Sequence, residues 1–501
     1  MKKNLHILVS RALLCLSRAS SLAVLFSGAL LLGSCKKDLT EVPYSFLTPG
    51  NFYQTAADAQ SAINGALSAL QPQQYYQRTI YIMTECSGDD LQPLLTQNQE
   101  RIDMYKLQYN SANPEITNWW QNSYKLISRA NDVIAHVPAI NMDVTSRNNI
   151  VGNAYFLRGL AYFDLVRSFG DVPLLLRPIT SPGDSLLFPK RTNAGTVYQQ
   201  VISDLKYAEA NCLSETKITA ANKGMVSSGA ASAMLARVYL QRASSKYADP
   251  ADNQNALTEC NTVINSGVYT LMPNYSDVFN WTKKYYPTQS EVIFAVQFGS
   301  NGSGTTQNIT VRMFTPLALS GSGSFVANVN FYNNGYPWYD SVRKNWNLAD
   351  TAGGAVVAPY IHKYRDPTWA LGSNNSQMNW IVLRYSDVLE MQSEAMNNLT
   401  PTDPGKFTGI NQVLARAHVP ALYQYSFTNV ASQSDFIDTL VKERARELCI
   451  EGHRRWDLIR LGVYKSVEAG IGMTLQDNFY LMPIPQTEMD ANPNLTQNPG
   501  F

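Results

Sequence analysis

The sequence is short of charge. Only 16% of its residues are Asp, Glu, Lys or Arg, where a soluble globular chain usually carries about 25%. The 40 Lys and Arg nearly cancel the 39 Asp and Glu, leaving a net charge of +1. That balance excludes a general nucleic-acid binder, because such binding rests on clustered basic side chains. Histidine is scarcer still, with 5 in 501 residues. His136, His362, His418 and His453 are scattered and no HExxH occurs, so a metallohydrolase lacks its ligands. No GxSxG, P-loop or GxGxxG with its acid is present either. Of the six cysteines, Cys86, Cys212, Cys260 and Cys449 stand far apart and form no CxxC pair. Neither a disulfide framework nor a zinc site is indicated, no metal ligands are assigned, and no cofactor is expected. Cys449 falls in an apolar helical pattern and reads as packing.

Long hydrophobic runs are missing as well. The longest near the start, Leu22 to Gly33, is shorter than the roughly 20 residues that span a bilayer. Lys2, Lys3, Arg11 and Arg18 precede it and small residues follow it, the pattern of a secretory signal. Removing residues 1–34 takes those four charges from the 40 Lys and Arg and leaves 36 against 39 acids, a balance of −3. The junction Leu32-Gly33-Ser34-Cys35 resembles a bacterial lipobox, in which the Cys is acylated and becomes the new N-terminus. Cys35 is therefore the expected lipid anchor, and two or more acyl chains make anchoring stable. Lys36, rather than Asp, follows it, which favours the outer over the inner membrane. Residues 35–50 form a polar tether containing proline.

Aromatic residues fill the space that charge leaves: 28 Tyr, 18 Phe and 8 Trp. Helical periodicity dominates from residue 115. Ile116, Trp120, Ile127, Ala130 and Ile134 share one face of a helix over 115–137, which Pro138 ends. Ile150, Ala154, Leu157, Ala161 and Leu165 do the same over 147–168, before a turn at 169–173. Further helices are predicted over 194–211, 225–243 and 252–266. Ala230, Ala231, Ala233 and Ala236 permit close approach of neighbours. Antiparallel helix pairs of this kind suggest a degenerate tetratricopeptide-like array, without the strict 34-residue consensus. A strand is expected over 291–298. Residues 299–375 show little helical period and are rich in Gly, Ser, Asn and aromatics; loops so long are usually functional or disordered, and the aromatics argue against disorder. Helices are expected again over 379–398, 406–417 and 434–461. The remainder, 462–501, is rich in Pro and Asn and shows no helical pattern.

Two clusters could carry function. Glu443, Glu447 and Glu451 step by four, and two carboxylates close together could serve a glycoside hydrolase. Arg444, Arg446, Arg454 and Arg455 stand beside them, so a structural ion network is the stronger reading. Arg444 lies in the apolar stripe of Ile437, Val441 and Leu448 and should have a carboxylate partner. The second cluster comprises Trp281, Tyr285, Tyr286, Trp338, Tyr339, Trp346 and Trp369. Their rings, in polar Gly-rich contexts, can stack on sugars or build loop cores, and the sequence leaves both open.

Several segments together resemble the SusD/RagB family of outer-membrane nutrient-uptake lipoproteins. They are Cys35 with its lipobox, the stretches 154–163 and 169–174, the segment 381–395, the run Glu443 to Leu458, and the tail from Met482 to Phe501. The resemblance implies a mostly α fold. About four degenerate tetratricopeptide-like helix pairs would support a loop-rich half with short strands. It implies a chain divided into a signal (1–34), a tether (35–50), a helical-repeat region (51–270) and a C-terminal region (271–501). The last would hold a ligand-binding insertion (271–375), returning helices (376–461) and the tail (462–501). It further implies a non-catalytic protein held at the cell surface by Cys35, binding a glycan and capping a SusC-like TonB-dependent barrel. Family sites use loop aromatics and residues after a Ser-Asp element. Here Ser87-Gly88-Asp89-Asp90 resembles that element with one extra Gly, which makes Asp90 a further candidate. A surface hydrolase using Glu447 and Glu451, and a lipid-anchored scaffold that binds only protein, are the competing readings.

Overall fold

The computed structural model describes residues 52–96, 98–300, 305–306 and 308–501. The signal, Cys35 and the tether lie outside the described residues. Helix α1 (Ala56–Leu67) opens with a capping box from Thr55 and Asp58. In α2 (Pro114–His136), Asn113 caps the first turn and Pro114 occupies its first position, where the missing N–H costs nothing. Asp143 caps α3 (Val144–Phe169), and Gly170, at φ 72°, ends it. Then follow α4 (Ala194–Asn211), α5 (Ser228–Ala243) and α6 (Asp252–Asn265).

Each of these helices packs on the next, α2 on α3 through α5 on α6, while α1 lies against both α2 and α3. Close approach depends on small residues. A Cβ at Gly159 would stand 3.1 Å from Leu205 of α4, and Ala230, Ala231, Ala233 and Ala236 are all fully buried. The array then pauses for the long insertion and resumes with α7 (Tyr385–Leu399), which packs on α6, followed by α8 (Lys406–Arg416) against α7. Helix α9 (Gln433–Glu447) also packs on α7. The chain is mostly helical, as expected, with short two-stranded sheets, and residues 53–501 form one compact unit.

Four local expectations need correction. Residues 380–384 are a strand, not helix. Val292–Val296 (β1) pairs antiparallel with Trp380–Arg384 (β2), and α7 begins only at Tyr385. A short apolar run buried at every position has no period that separates strand from helix. The expected helix over 434–461 is two: α9 stops at Glu447, and α10 (Arg454–Arg460) starts after Ile450 and Gly452 turn left-handed at φ 56° and 86°. The insertion holds short helices at 310–314, 329–334 and 341–347. It also holds a hairpin, Leu348–Ala352 with Ala355–Ile361, whose Gly353-Gly354 turn has both φ positive. The tail contains helices at 464–470 and 486–491. It is tied to the array: the Met482 N–H donates to the Ser168 carbonyl, and Met482 and Ile484 are fully buried.

Candidate ligand-binding site

The charged cluster is a buried scaffold. The Arg384 guanidinium donates to Glu291, Glu447 and Glu451, and its side chain is 1% exposed. Arg416 joins Glu291 to Glu447. Arg343 joins Glu443 at 2.5 Å and Glu447 at 3.0 Å to Asp340. Lys363 donates to Glu451 and to the Cys449 carbonyl. Arg444 meets Asp457 and Asp387, both at 2.8 Å, which supplies the partner the sequence required. Burial alone would raise the Glu447 carboxyl, but Arg416, Arg384 and Arg343 outweigh it and hold it far below the usual range. Glu451 is lowered in the same way, by Arg384 and Lys363 against burial. A glycosidase needs one acid kept protonated beside a second open to substrate. Glu447 and Glu451 are both ionised, paired and sealed, which removes the hydrolase reading.

This network sets the position of the loop aromatics. Asp340, buried and bonded to Arg343, fixes the segment just after Trp338 and Tyr339. On the other side the chain leaves α8, turns left-handed at His418 (φ 59°) and presents Tyr423 from a short 3₁₀ turn. The Tyr339 and Tyr423 rings stack with centroids 4.0 Å apart and planes 4° from parallel. Trp338 stands edge-on to both, at 5.7 Å from each centroid. The tyrosines rest on the small apolar cluster of Leu414, Ala417 and Val419. Trp338 itself is 78% exposed. A broad indole held up on a stacked base, open to solvent, is a surface made for a flat partner.

The other candidate aromatics are placed differently. The Trp346 ring is half-buried under the Arg365 guanidinium, 3.8 Å from its centroid. The Trp369 indole N–H donates to the Ser373 carbonyl at 2.8 Å and holds its own loop. Trp281 is half-buried against the core beside a cavity of only about 30 Å³. Lys284, which burial pushes down to about 8, lies 5.9 Å from the Trp281 ring and donates to the Phe298 carbonyl. Tyr285 and Tyr286 are half-buried nearby, with the Lys223 ammonium 5.9 Å from the Tyr286 ring. These rings pack more than they present.

Asp90 is 1% exposed, and its carboxyl pairs with that of Glu85 in the interior. Burial, reinforced by Glu85, raises its carboxyl well above the usual range. It lies in the interior and offers nothing to solvent. Its neighbour Asp89 instead clamps Arg454. Tyr423 is the residue that sequence reasoning missed. It lies between helices in a Pro-Ala-Leu-Tyr segment with no Gly-rich context, and only the fold brings it to Tyr339.

Comparison with known proteins bears on the whole chain. Residues 328–501 match the family described as "SusD family". Residues 45–240 match that described as "Starch-binding associating with outer membrane". SusD-like protein P2 of Formosa agariphila is 28% identical, over 93% of this chain and 96% of its own. A SusD superfamily protein from Parabacteroides distasonis has a TM-score of 0.77 at 25% identity, covering 91% of this chain and all of the other. A laminarin-binding SusD-like protein has a TM-score of 0.72 at 23% identity, with 90% and 100% covered.

Proposed function

The chain belongs to the SusD/RagB family, and from that premise we propose that it captures a glycan and delivers it to a SusC-like TonB-dependent barrel. Capture takes place on the Trp338–Tyr339–Tyr423 platform. The observation that carries this reading is the exposure of Trp338, 78%, on a stacked tyrosine pair. Large aromatics normally hide, and a ring kept open at the surface of a rigid base supplies a stacking face for a pyranose. The remaining candidates, Trp281, Tyr285, Tyr286, Trp346 and Trp369, shape and stiffen the insertion that bears it. We assign residues 271–375 as that insertion. Acylation at Cys35 holds the protein at the outer membrane, in keeping with the outer-membrane association in the description matched by residues 45–240. Nothing is cleaved: the carboxylates of the Glu443–Glu451 run are committed to arginine and lysine partners.

Affinity electrophoresis through gels containing single polysaccharides tests capture, and co-purification from outer membranes tests delivery. Retardation by at least one polysaccharide, no release of reducing ends, and a co-purifying barrel are expected. Barrel binding without any glycan binding would instead support a protein-only scaffold.

A further inference from the structure

Away from the platform, a second concavity has a quite different lining. The ends of α3 and α5 and the start of α4 wall a cavity of about 440 Å³, and Tyr480, Leu481 and Asn498 of the tail close it. That volume falls in the range of small-molecule sites, roughly 300–1,000 Å³. Two side chains in its wall are nine-tenths buried and still lack a partner. Gln241 is 8% exposed and Tyr198 is 4% exposed, and among the described residues neither the amide nor the phenol makes a hydrogen bond. Neither group is sealed off within the protein; both give onto the cavity. Ser244 and Arg191 beside them are engaged. The Ser244 hydroxyl donates to the Gln241 carbonyl at 2.9 Å, and the Arg191 guanidinium donates to the Asp171, Phe169 and Thr496 carbonyls and to the Asn498 side chain.

Both groups face the cavity with their hydrogen-bonding capacity unused by the protein, so they are free to bond whatever polar molecule fills it. The chemistry of the open valences narrows the choice. A carboxamide offers two donors and an acceptor, a phenol offers one donor and accepts, and the Lys246 ammonium at the rim offers donors alone. The Asp171 carboxylate, also in the lining, adds an acceptor. An anion would want donors only, and a cation acceptors only. Sugar hydroxyls, which both donate and accept, match the mixed set. The half-buried Tyr247 and Tyr480 rings supply faces for the C–H side of a sugar ring.

We propose that this cavity binds a single pyranose, free or as the end residue of a chain, at a site separate from the platform. The inference rests on the glycan reading above for the class of ligand alone. Saturation-transfer NMR on the full chain tests it, using the methyl pyranosides of glucose, galactose, mannose and xylose as probes. At least one should bind the wild type. Tyr198→Phe and Gln241→Leu, each made in the Trp338→Ala background that removes the platform's stacking face, should weaken the remaining binding about fivefold or more. If none of the four binds, or if both wall variants bind like their Trp338→Ala parent, the cavity holds only water and the proposal fails. Loss of binding on Trp338→Ala alone overturns it too, by assigning the probe to the platform. Should the wall variants fail to fold, Lys246→Met at the exposed rim decides, because unchanged affinity there contradicts the proposal. Polysaccharide retardation is scored in parallel, so failure of the platform reading and failure of this one give different results.

Discussion

Replacing Arg444 with Ala tests whether the charged run is scaffold. The Arg444 side chain is 2% exposed and bonds three carboxylates: Asp457 and Asp387 at 2.8 Å and Glu390 at 3.3 Å. Removing it does not affect the three equally. Asp387 keeps Arg237 at 2.6 Å, and Asp457 keeps Arg460 at 2.9 Å. Glu390 keeps no cation; burial already raises its carboxyl well above the usual range against the pull of Arg444, and its second oxygen is buried without a partner. Breaking a buried pair costs about 3–5 kcal/mol, against about 0–1 kcal/mol at a surface. With only one of three acids orphaned, the low end applies, about 3 kcal/mol. Unfolding entropy of about 2.1 cal/mol/K per residue over residues 53–501 converts this to a drop in Tm of roughly 3 °C. Adding Glu390→Gln should recover part of the loss, because an amide cannot ionise and needs no cation beside it. Differential scanning calorimetry of wild type, single and double variants is the assay. A Tm for Arg444→Ala within about 1 °C of wild type, or a double variant with no recovery, would refute the reasoning.

Other consequences follow from the same geometry. Glu468 is fully buried with neither oxygen bonded among the described residues, and burial, with Asp89 beside it, pushes its carboxyl up to about 8. A raised folded-state value stabilises below the ordinary glutamate range and is lost as pH climbs to about 8. Glu468→Gln should therefore raise Tm above that pH and change it little at pH 5; equal effects at both would contradict the assignment. Cys35→Ser should abolish labelling by a fatty-acid probe, and undiminished labelling would sink the anchor. Trp369→Phe removes the indole bond to Ser373 and should cost about 1 kcal/mol of stability while leaving glycan affinity intact; a selective loss of affinity would return Trp369 to the site.

What could be read from the sequence was what repeats or stands in a local signature. The helices of the array follow from apolar spacing, and 194–211 was placed to the residue. The Arg444 partner followed from a cation in an apolar stripe. What escaped depended on the third dimension. Trp380 to Arg384 reads equally as helix or strand until Val292–Val296 pairs with it. The even step from Glu447 to Glu451 conceals the left-handed Ile450 and Gly452, which end one helix and aim Glu451 back at Arg384 and Lys363. The seven aromatics looked alike in sequence because exposure is not a local property: Trp338 stands open two residues before Asp340, which Arg343 ties to Glu443 and Glu447. Asp90 looked available because its motif is polar, yet the turn folds it inward.

The central claim is capture on the platform, and one titration tests it most directly. Isothermal calorimetry should compare wild type, Trp338→Ala and Tyr423→Ala against short oligosaccharides of whichever polysaccharide retards the chain in gels. Short ligands are needed because a polymer masks a weakened site through avidity. Trp338 is exposed, so its truncation leaves the fold intact, and a binding hot spot of this kind is worth about 2 kcal/mol or more. The account predicts a loss of affinity of roughly thirtyfold for Trp338→Ala, melting within about 1 °C of wild type, with Tyr423→Ala weakened in the same direction and melting lower because its stacked ring is lost. Wild-type affinity in both folded variants would contradict it.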